Sequence, residues 1–489
     1  MNPFLGVFFH WLGGFASGSF YVPYRFVRKW SWEVSWLCGG FMSWIIAPWV
    51  LAFILTKSLV PTMLATWQID PSSMQWAFLF GMMWGVGGLT FGLTMRYLGM
   101  SLGMAIALGY CTVLGTLMPP IFKGEFVSNI LSTQAGWINI FGLGVCVLGI
   151  ALAGAAGLSK EGEMSEEAKR ESIKEFSFVK GMIVATISGV FSAGMSYAMS
   201  AAEPLSVSSE YFGTDALWTG LPKLCVILLG GFLTNFIWCM ILLIKNGTLY
   251  QYLSRFTKDE YATDAAGKAT KTLKEGVKPA SLFRNYFFSL LAGLTWYMQF
   301  FFYSMGETQM GSFKFSSWTI HMASIIVFSS LWGIALAEWK GTSRLTKTLL
   351  FLAIGTLLYS TLLVGYSNYM NANADREAYA VADVTSSKTI GEGTSAVINT
   401  QAQVSLDRST PAVDINTGEA VEAPAAEYVV YTSMNAKQTE ACRAKFEADK
   451  AKKAAEAEAK ARVQEELRKR FPRMQAPVID STSDVDANF

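Results

Sequence analysis

Gln75-Trp-Ala-Phe-Leu-Phe-Gly-Met-Met-Trp84-Gly-Val-Gly-Gly-Leu-Thr90-Phe-Gly-Leu-Thr-Met-Arg96 decides the fold class. It runs twenty residues past Gln75 before meeting a charge, and only Arg96, Lys123 and Glu125 are charged between Gln75 and Leu158. A hydrocarbon core of ~30 Å asks for helices of ~20 apolar residues, and a water-soluble domain does not leave so long a stretch uncharged. The rest of the chain agrees, with 52% apolar residues, 16% charged residues and 16 tryptophans. The sequence predicts an all-α polytopic membrane protein with spans near 4–22, 35–56, 75–95, 101–119, 136–157, 180–200, 218–244, 285–305, 316–337 and 346–366. The first segment has no basic residue before it and leads into nine more spans, so it does not read as a cleaved signal peptide.

Loop charge predicts the orientation. Twenty Lys/Arg residues fall in the odd-numbered loops, from Arg25, Arg28 and Lys29 to Lys340, Arg344 and Lys347. The other face has little more than Lys57, Lys123 and Lys314. Basic loops stay in the cytoplasm, so both termini are expected outside, in the periplasm. Trp30, Trp32, Trp36 and Trp339 mark expected inner edges, and Trp76, Trp137, Trp218 and Trp318 outer ones.

Phe15-Ala-Ser-Gly18-Ser-Phe-Tyr21 in the first span aligns with Phe191-Ser-Ala-Gly194-Met-Ser-Tyr197 in the sixth. Leu79, Gly81 and Trp84 fall against Leu291, Gly293 and Trp296. A five-helix unit repeated in sequence has inverted topology, a pattern common in secondary transporters with a midplane substrate site. The expected organisation is a first repeat over 1–157, a cytoplasmic linker over 158–179, a second repeat over 180–366 and a polar tail over 367–489. In the tail, Ala/Lys/Glu-rich sequence from about Lys437 to Arg473 favours a solvated charged helix, with no sustained apolar seam.

No GxxxxGK[ST] phosphate loop, HExxH or zinc-spaced Cys/His cluster is present, so the sequence calls for no cofactor and no metal. A net charge of +2 gives no argument for nucleic acid. Gly85-Val-Gly87-Gly88 reads as close helix packing through small residues, and the span cysteines read as packing residues.

The polar groups inside the spans carry the functional reading. At ~1.5 Å per residue, His10 and His321 lie ~8–9 Å below the predicted outer boundary and Gln299 ~9 Å, with Trp84 and Trp296 ~14 Å deep. Two indoles near the midplane, with two imidazoles and an amide above them, suit a small polyhydroxylated ligand, whose C–H face stacks on an aromatic plane. Tyr297 and Tyr303 belong to the same aromatic run and join Trp84, Trp296 and Gln299 as candidate substrate-binding residues. His10 and His321 are the candidate proton-coupling residues, because imidazole titrates near neutral pH. The alternative role for each polar group is an ordinary interhelical hydrogen bond. Glu33, Glu307 and Glu338 lie at span ends with water within reach, and Lys223 is placed to snorkel to the headgroups.

Five further stretches carry a resemblance. Arg28-Lys-Trp-Ser-Trp-Glu33, Gly92-Leu-Thr-Met-Arg-Tyr-Leu-Gly-Met-Ser-Leu-Gly103 and Gly189-Val-Phe-Ser-Ala-Gly-Met-Ser-Tyr-Ala-Met199 resemble the L-rhamnose–proton symporter family of the drug/metabolite transporter superfamily. So do Trp296-Tyr-Met-Gln-Phe-Phe-Phe-Tyr303 and Ser317-Trp-Thr-Ile-His-Met322, and the likeness covers about residues 4–366. It implies ten helices in two inverted repeats in a bacterial inner membrane, importing L-rhamnose or a related 6-deoxyhexose with a proton by alternating access. His10 and His321 match histidines of the family motifs. Two departures stand out. Gly87-Gly88-Leu-Thr90-Phe91-Gly92 replaces a more polar Gly-Asn-x-Asn-Tyr-Gly, and Glu307 stands where a histidine is common. The exact sugar and the coupling ion therefore stay open. The other readings are transport of a different small metabolite, or a membrane sensor or scaffold acting through its tail.

Overall fold

The computed structural model describes residues 2–98, 100–164, 177–263 and 269–389, together with 412–413, 420–421 and residue 465. The predicted charged helix of the tail, except Glu465, and Cys442 lie outside these residues. The chain divides into two compact units, Met1–Asp375 with Val463–Phe489, and Arg376–Arg462. The described part of the second holds the end of one helix and a two-residue strand pair, Ala412–Val413 with Ala420–Val421.

Among its described residues the first unit is helical apart from one antiparallel strand pair, Tyr261–Thr263 with Ala269–Leu273, a departure from the all-α expectation. Its elements are α1 (Pro3–Ser19), α2 (Trp32–Leu55, π-helical over Phe41–Ile46), α3 (Leu59–Ile69), α4 (Pro71–Leu98), α5 (Met100–Phe122) and α6 (Gln134–Gly162). Then follow α7 (Phe178–Ser192), α8 (Gly194–Ala201), α9 (Glu203–Tyr211), α10 (Leu221–Asn246), α11 (Leu282–Gln309), α12 (Ser317–Ala335) and α13 (Arg344–Thr389). Among the described residues, eight helices are long and apolar enough to cross a membrane. The chain is a polytopic membrane protein. Two further helices fall outside that group: α1 has 17 residues, and α11 carries Arg284, Asn285, Gln299 and Glu307. Large apolar side chains such as Phe53, Phe122, Phe141, Ile183, Ile241 and Leu362 are exposed, which suits a surface wetted by lipid.

Three further features depart from the sequence reading. The last helix does not stop at 366 but continues to Thr389, with no glycine or proline between Tyr366 and Thr389 to end it. Ser367 and Asn368, assigned to the tail, are buried and bonded to Ala135 O and Ser316 Oγ at 2.6 and 2.8 Å. Trp318, expected at a boundary, is 3% exposed and donates to Cys111 O at 3.0 Å. The loops also hold short helices that the sequence reading did not separate. α3 and α9 pair there through Thr66 Oγ1–H to Ser208 Oγ at 2.8 Å.

Helix contacts are made through small residues. α1 packs on α11 and α12, α7 on α4 and α5, α10 on α4, and α2 on α11. Gly39 and Gly293 bring α2 and α11 together so closely that a Cβ at 293 would stand 2.9 Å from Gly39 Cα. Two glycines of the predicted α4 run pack closely, Gly85 against the α10 backbone and Gly87 against that of α7, and Gly81 joins them on α10, whereas a Cβ at Gly88 would meet nothing within 4 Å. The five described cysteines are free and buried.

Polar ties group the connections at two ends. At one, Asn285 bonds Arg28 in both directions at 3.0 and 2.8 Å, and Ser177 N–H donates to Tyr97 O at 3.2 Å. Glu163 accepts there from Ser343 N–H at 2.7 Å and Thr346 Oγ1–H at 2.5 Å. At the other end, Asn2 N–H donates to Gln309 Oε1 at 3.1 Å and Lys57 N–H to Thr214 Oγ1 at 3.0 Å. Glu33 is not a solvated charge. It is 5% exposed and accepts from Asn246, the last residue of α10, and from Thr248 just past it, at 3.1 and 2.8 Å. Glu338 is exposed, as expected.

Lys29 pairs with Glu260, and this hydrogen-bonded ammonium holds the Glu260 carboxyl below its usual range. A depressed carboxyl contributes stability above its unfolded value, about 4.3 for glutamate, and loses it as pH falls through the lowered one. The Lys274 amide donates to Glu260 O at 2.9 Å. Its hydrogen exchange, corrected for the intrinsic rate, should quicken on acidification through that range, and in Lys29→Met already at neutral pH. Unchanged protection in Lys29→Met would mean the ion pair does not hold this loop.

Candidate functional site

The helix period writes the site along one face of α11. Trp296, Phe300, Tyr303 and Glu307 recur at i, i+4, i+7 and i+11, so their side chains stack in one stripe. Trp84 of α4 and Trp44 of the π-helical stretch of α2 pack on its first member, with ring centroids 5.5 and 5.6 Å from Trp296. Phe300 lies 5.2 Å from Trp296, 5.7 Å from Trp84 and 6.1 Å from His321. Tyr303 then stands between the two imidazoles, 5.1 Å from His10 and 5.2 Å from His321. Trp318 closes the group, 5.9 Å from Tyr303.

The structure therefore joins five of the seven predicted residues, Trp84, Trp296, Tyr303, His10 and His321, into one continuous cluster. Gln299 is buried and its backbone carbonyl faces Gly13 of α1. Tyr297 is fully buried, but six residues put it ~120° around the helix from Tyr303. It packs near Phe301, and its hydroxyl has no hydrogen-bond partner among the described residues.

The indoles touch each other rather than flanking a space. A ring stacked on both faces needs centroids ~7–8 Å apart, twice the ~3.5–4.0 Å contact distance of carbon atoms. At 5.5 Å the Trp84–Trp296 pair is closed, and the cavity beside Trp296, Trp44 and Trp36 is only about 10 Å³. A larger groove of about 480 Å³ lies elsewhere, lined by Trp49, Met63, Trp67, Met74 and Phe78. Its lining is almost wholly apolar, so it cannot satisfy a polyhydroxylated ligand.

His10 and His321 are 0% and 1% exposed, and none of their four ring nitrogens has a hydrogen-bond partner among the described residues. Leaving a buried polar atom unpaired costs about 1–3 kcal/mol, so two such rings side by side call for a function. Neither imidazole makes the interhelical hydrogen bond that was its alternative reading. A missing side chain makes room for one of the rings. A Cβ at Gly306 would stand 2.7 Å from His10 Cε1, whereas one at Gly13 would crowd Gln299 O at 2.8 Å and meet His321 only in ordinary contact at 3.4 Å.

Sequence reasoning missed the bridging role of Phe300 and Trp318, although the i, i+4, i+7, i+11 stripe was there to count. It also placed Lys223 among the headgroups. Lys223 is 2% exposed and held by Glu203 Oε2 at 2.5 Å and Glu307 Oε2 at 3.3 Å, with Lys314 on Glu203 Oε1 at 2.8 Å. Glu307, read as solvated, is 8% exposed. Four charges from four different elements thus form one network at the end of the cluster.

Gly306→Ala should cost about 1–3 kcal/mol by overpacking and displace the His10 ring. Lowered thermal stability in detergent and a shifted His10 imidazole resonance are the expected signs. Gly144→Ala, where nothing lies within 4 Å of a built Cβ, should show neither. Equal behaviour of the two variants would refute the tight seat.

Comparison with known proteins bears on this cluster and the helices around it. A model of the L-rhamnose-proton symport protein family matches residues 2–368. The L-rhamnose-proton symporter of Escherichia coli O17:K52:H18 is 36% identical over 363 residues, covering 74% of this chain and 97% of that protein. Symporters of the same name from Shigella sonnei and from Klebsiella pneumoniae strain 342 are 36% and 37% identical over the same shares. The match takes in His10, Trp84, Trp296, Tyr303 and His321 and stops where α13 leaves Asn368, and the chain belongs to the L-rhamnose-proton symport protein family.

Proposed function

We propose that this membrane transporter imports L-rhamnose or a related 6-deoxyhexose together with a proton, by alternating access. The observation that carries the reading is the contiguity of aromatic and titratable groups: Trp84, Trp296 and Phe300 lead through Tyr303 to two buried, unpartnered imidazoles. Stacking faces for a sugar and proton-accepting groups for coupling share one cluster, so occupancy of one can alter the other. The sugar enters as Trp84 and Trp296 part. Tyr303 and Gln299 offer it hydrogen bonds, and His321 and His10 take the proton.

Ten crossings in two inverted five-helix repeats are part of the same proposal, with α1 and α11 completing the set. The packing supports it by exchange. α1 packs on α11 and α12 as its repeat partner α7 packs on α4 and α5, and α4 meets α10 as α11 meets α2. With the basic loops in the cytoplasm, both termini lie in the periplasm of a cell whose inner membrane holds the protein. Another small metabolite is a second reading, favoured by α4: Gly88 replaces an amide of the family pattern, and nothing lies within 4 Å of a Cβ built there. Glycine has no side chain to offer a sugar hydroxyl a hydrogen bond at that position.

Purified protein in liposomes tests both readings. Labelled L-rhamnose, L-fucose, L-lyxose and neutral metabolites are offered with and without an inward proton gradient. L-rhamnose or a close 6-deoxyhexose should accumulate only with the gradient. Trp296→Ala should weaken apparent affinity by about 1 kcal/mol or more, the stacking contribution. Gradient-driven flux of an unrelated metabolite, or none of any, would reject the sugar reading.

A further inference from the structure

His10 and His321 have no exposed path of their own, being 0% and 1% exposed. In this closed arrangement the stripe on α11 supplies a titratable group through which a proton can reach them. Glu307 lies one turn beyond Tyr303 on the same face and close enough for the two to interact electrostatically. Gly306, the residue before it, seats the His10 ring against the backbone. The charged groups facing Glu307 are Lys223 from α10, Glu203 from α9 behind it, and Lys314 from the turn before α12. Tyr303 of its own helix leads on to His10 of α1 and His321 of α12, with ring centroids 5.1 and 5.2 Å away.

The two carboxylates on Lys223 are not equivalent. Glu203 holds the ammonium at 2.5 Å and also accepts from Lys314, whereas Glu307 stands off at 3.3 Å. Removing the only partner of a buried charge is strongly destabilising. With Glu203 in place, Glu307 can take a proton and leave Lys223 still paired. The side chains of Lys314 and Glu203 are 43% and 33% exposed, so the network reaches the bundle surface at one end and the histidine cluster at the other.

We propose that Glu307 is the relay carboxylate that carries protons between the exposed Glu203–Lys314 rim and the His10–His321 pair, with Lys223 holding it in place. In the transfer a proton binds a Glu307 carboxylate oxygen, weakening that oxygen's contact with Lys223. It then passes to an imidazole nitrogen, and Glu307 returns to its ammonium partner. No electrons move and no co-reactant is needed. The inference rests on proton-coupled sugar transport as proposed above.

The test uses the full chain in liposomes and measures two things: labelled L-rhamnose exchange between equal pools, and accumulation driven by an inward proton gradient across a range of external pH. Glu307→Gln should keep exchange and lose both accumulation and its pH dependence, and Glu307→Asp should restore them. Wild-type behaviour of Glu307→Gln in both assays would overturn the relay. So would loss of exchange together with accumulation that Glu307→Asp does not restore, which marks a structural brace. Failure of the unsubstituted protein to exchange or accumulate L-rhamnose would instead strike at the symport reading, before any variant is compared.

Discussion

Helices in hydrocarbon gain nothing from hiding apolar surface, so how closely two of them approach depends on the side chains between them. Here the approach is set by missing side chains. Gly39 and Gly293 bring α2 against α11, and Gly81, Gly85 and Gly87 bring α4 against α10 and α7. Gly306 leaves room for the His10 imidazole, and Gly13 lets α1 approach the Gln299 carbonyl of α11. The aromatic stripe of α11 occupies the interior these contacts enclose, and side chains at the notches would force the rings apart. The polar cluster thus depends on the glycines more directly than on any bond it makes itself.

The same enclosure explains why the site is chemically unusual. Most buried polar groups in the bundle are paired: Asn235 accepts from Trp36 Nε1–H at 3.1 Å, and Thr116 and Thr319 hydroxyls meet at 2.9 Å. The histidines are among the exceptions, with Trp44 Nε1, the Tyr297 hydroxyl and Ser304 Oγ, and they stand between a closed aromatic pair and a paired charge network. A group left unsatisfied in a low-dielectric interior stores free energy that a sugar hydroxyl or a proton can release. That converts a cost in folding into differential affinity, the quantity any coupled transporter must have.

Much of this was legible in the sequence because a membrane writes a coarse signal. Each predicted apolar stretch is helical over most of its length, since ~20 uncharged residues in hydrocarbon have no other way to satisfy their backbones. His10 and His321 were legible because imidazole is rare in such stretches. Glu203, Lys223, Glu307 and Lys314 were not. Each lies near a span end, where a lone charge reads as solvated, and only three-dimensional packing brings four such ends together. The end of α13 was misread for a related reason: Ser367 and Asn368 look like tail residues until Ala135 and Ser316 supply their partners. The closed contact of Trp84 with Trp296 was equally out of reach, because depth along a helix says nothing of the distance across to its neighbour.

The chain contains only two histidines, so their titration can be followed directly by NMR of imidazole-labelled protein in lipid nanodiscs. If sugar and proton bind one coupled cluster, L-rhamnose must raise the pKa of at least one of the two rings by the amount that protonation raises sugar affinity. The account predicts such a shift, abolished for the sugar-responsive resonance when Trp296 is replaced by Ala. Two histidine titrations unmoved by saturating L-rhamnose, in a protein that still transports it with protons, would contradict the account at its centre.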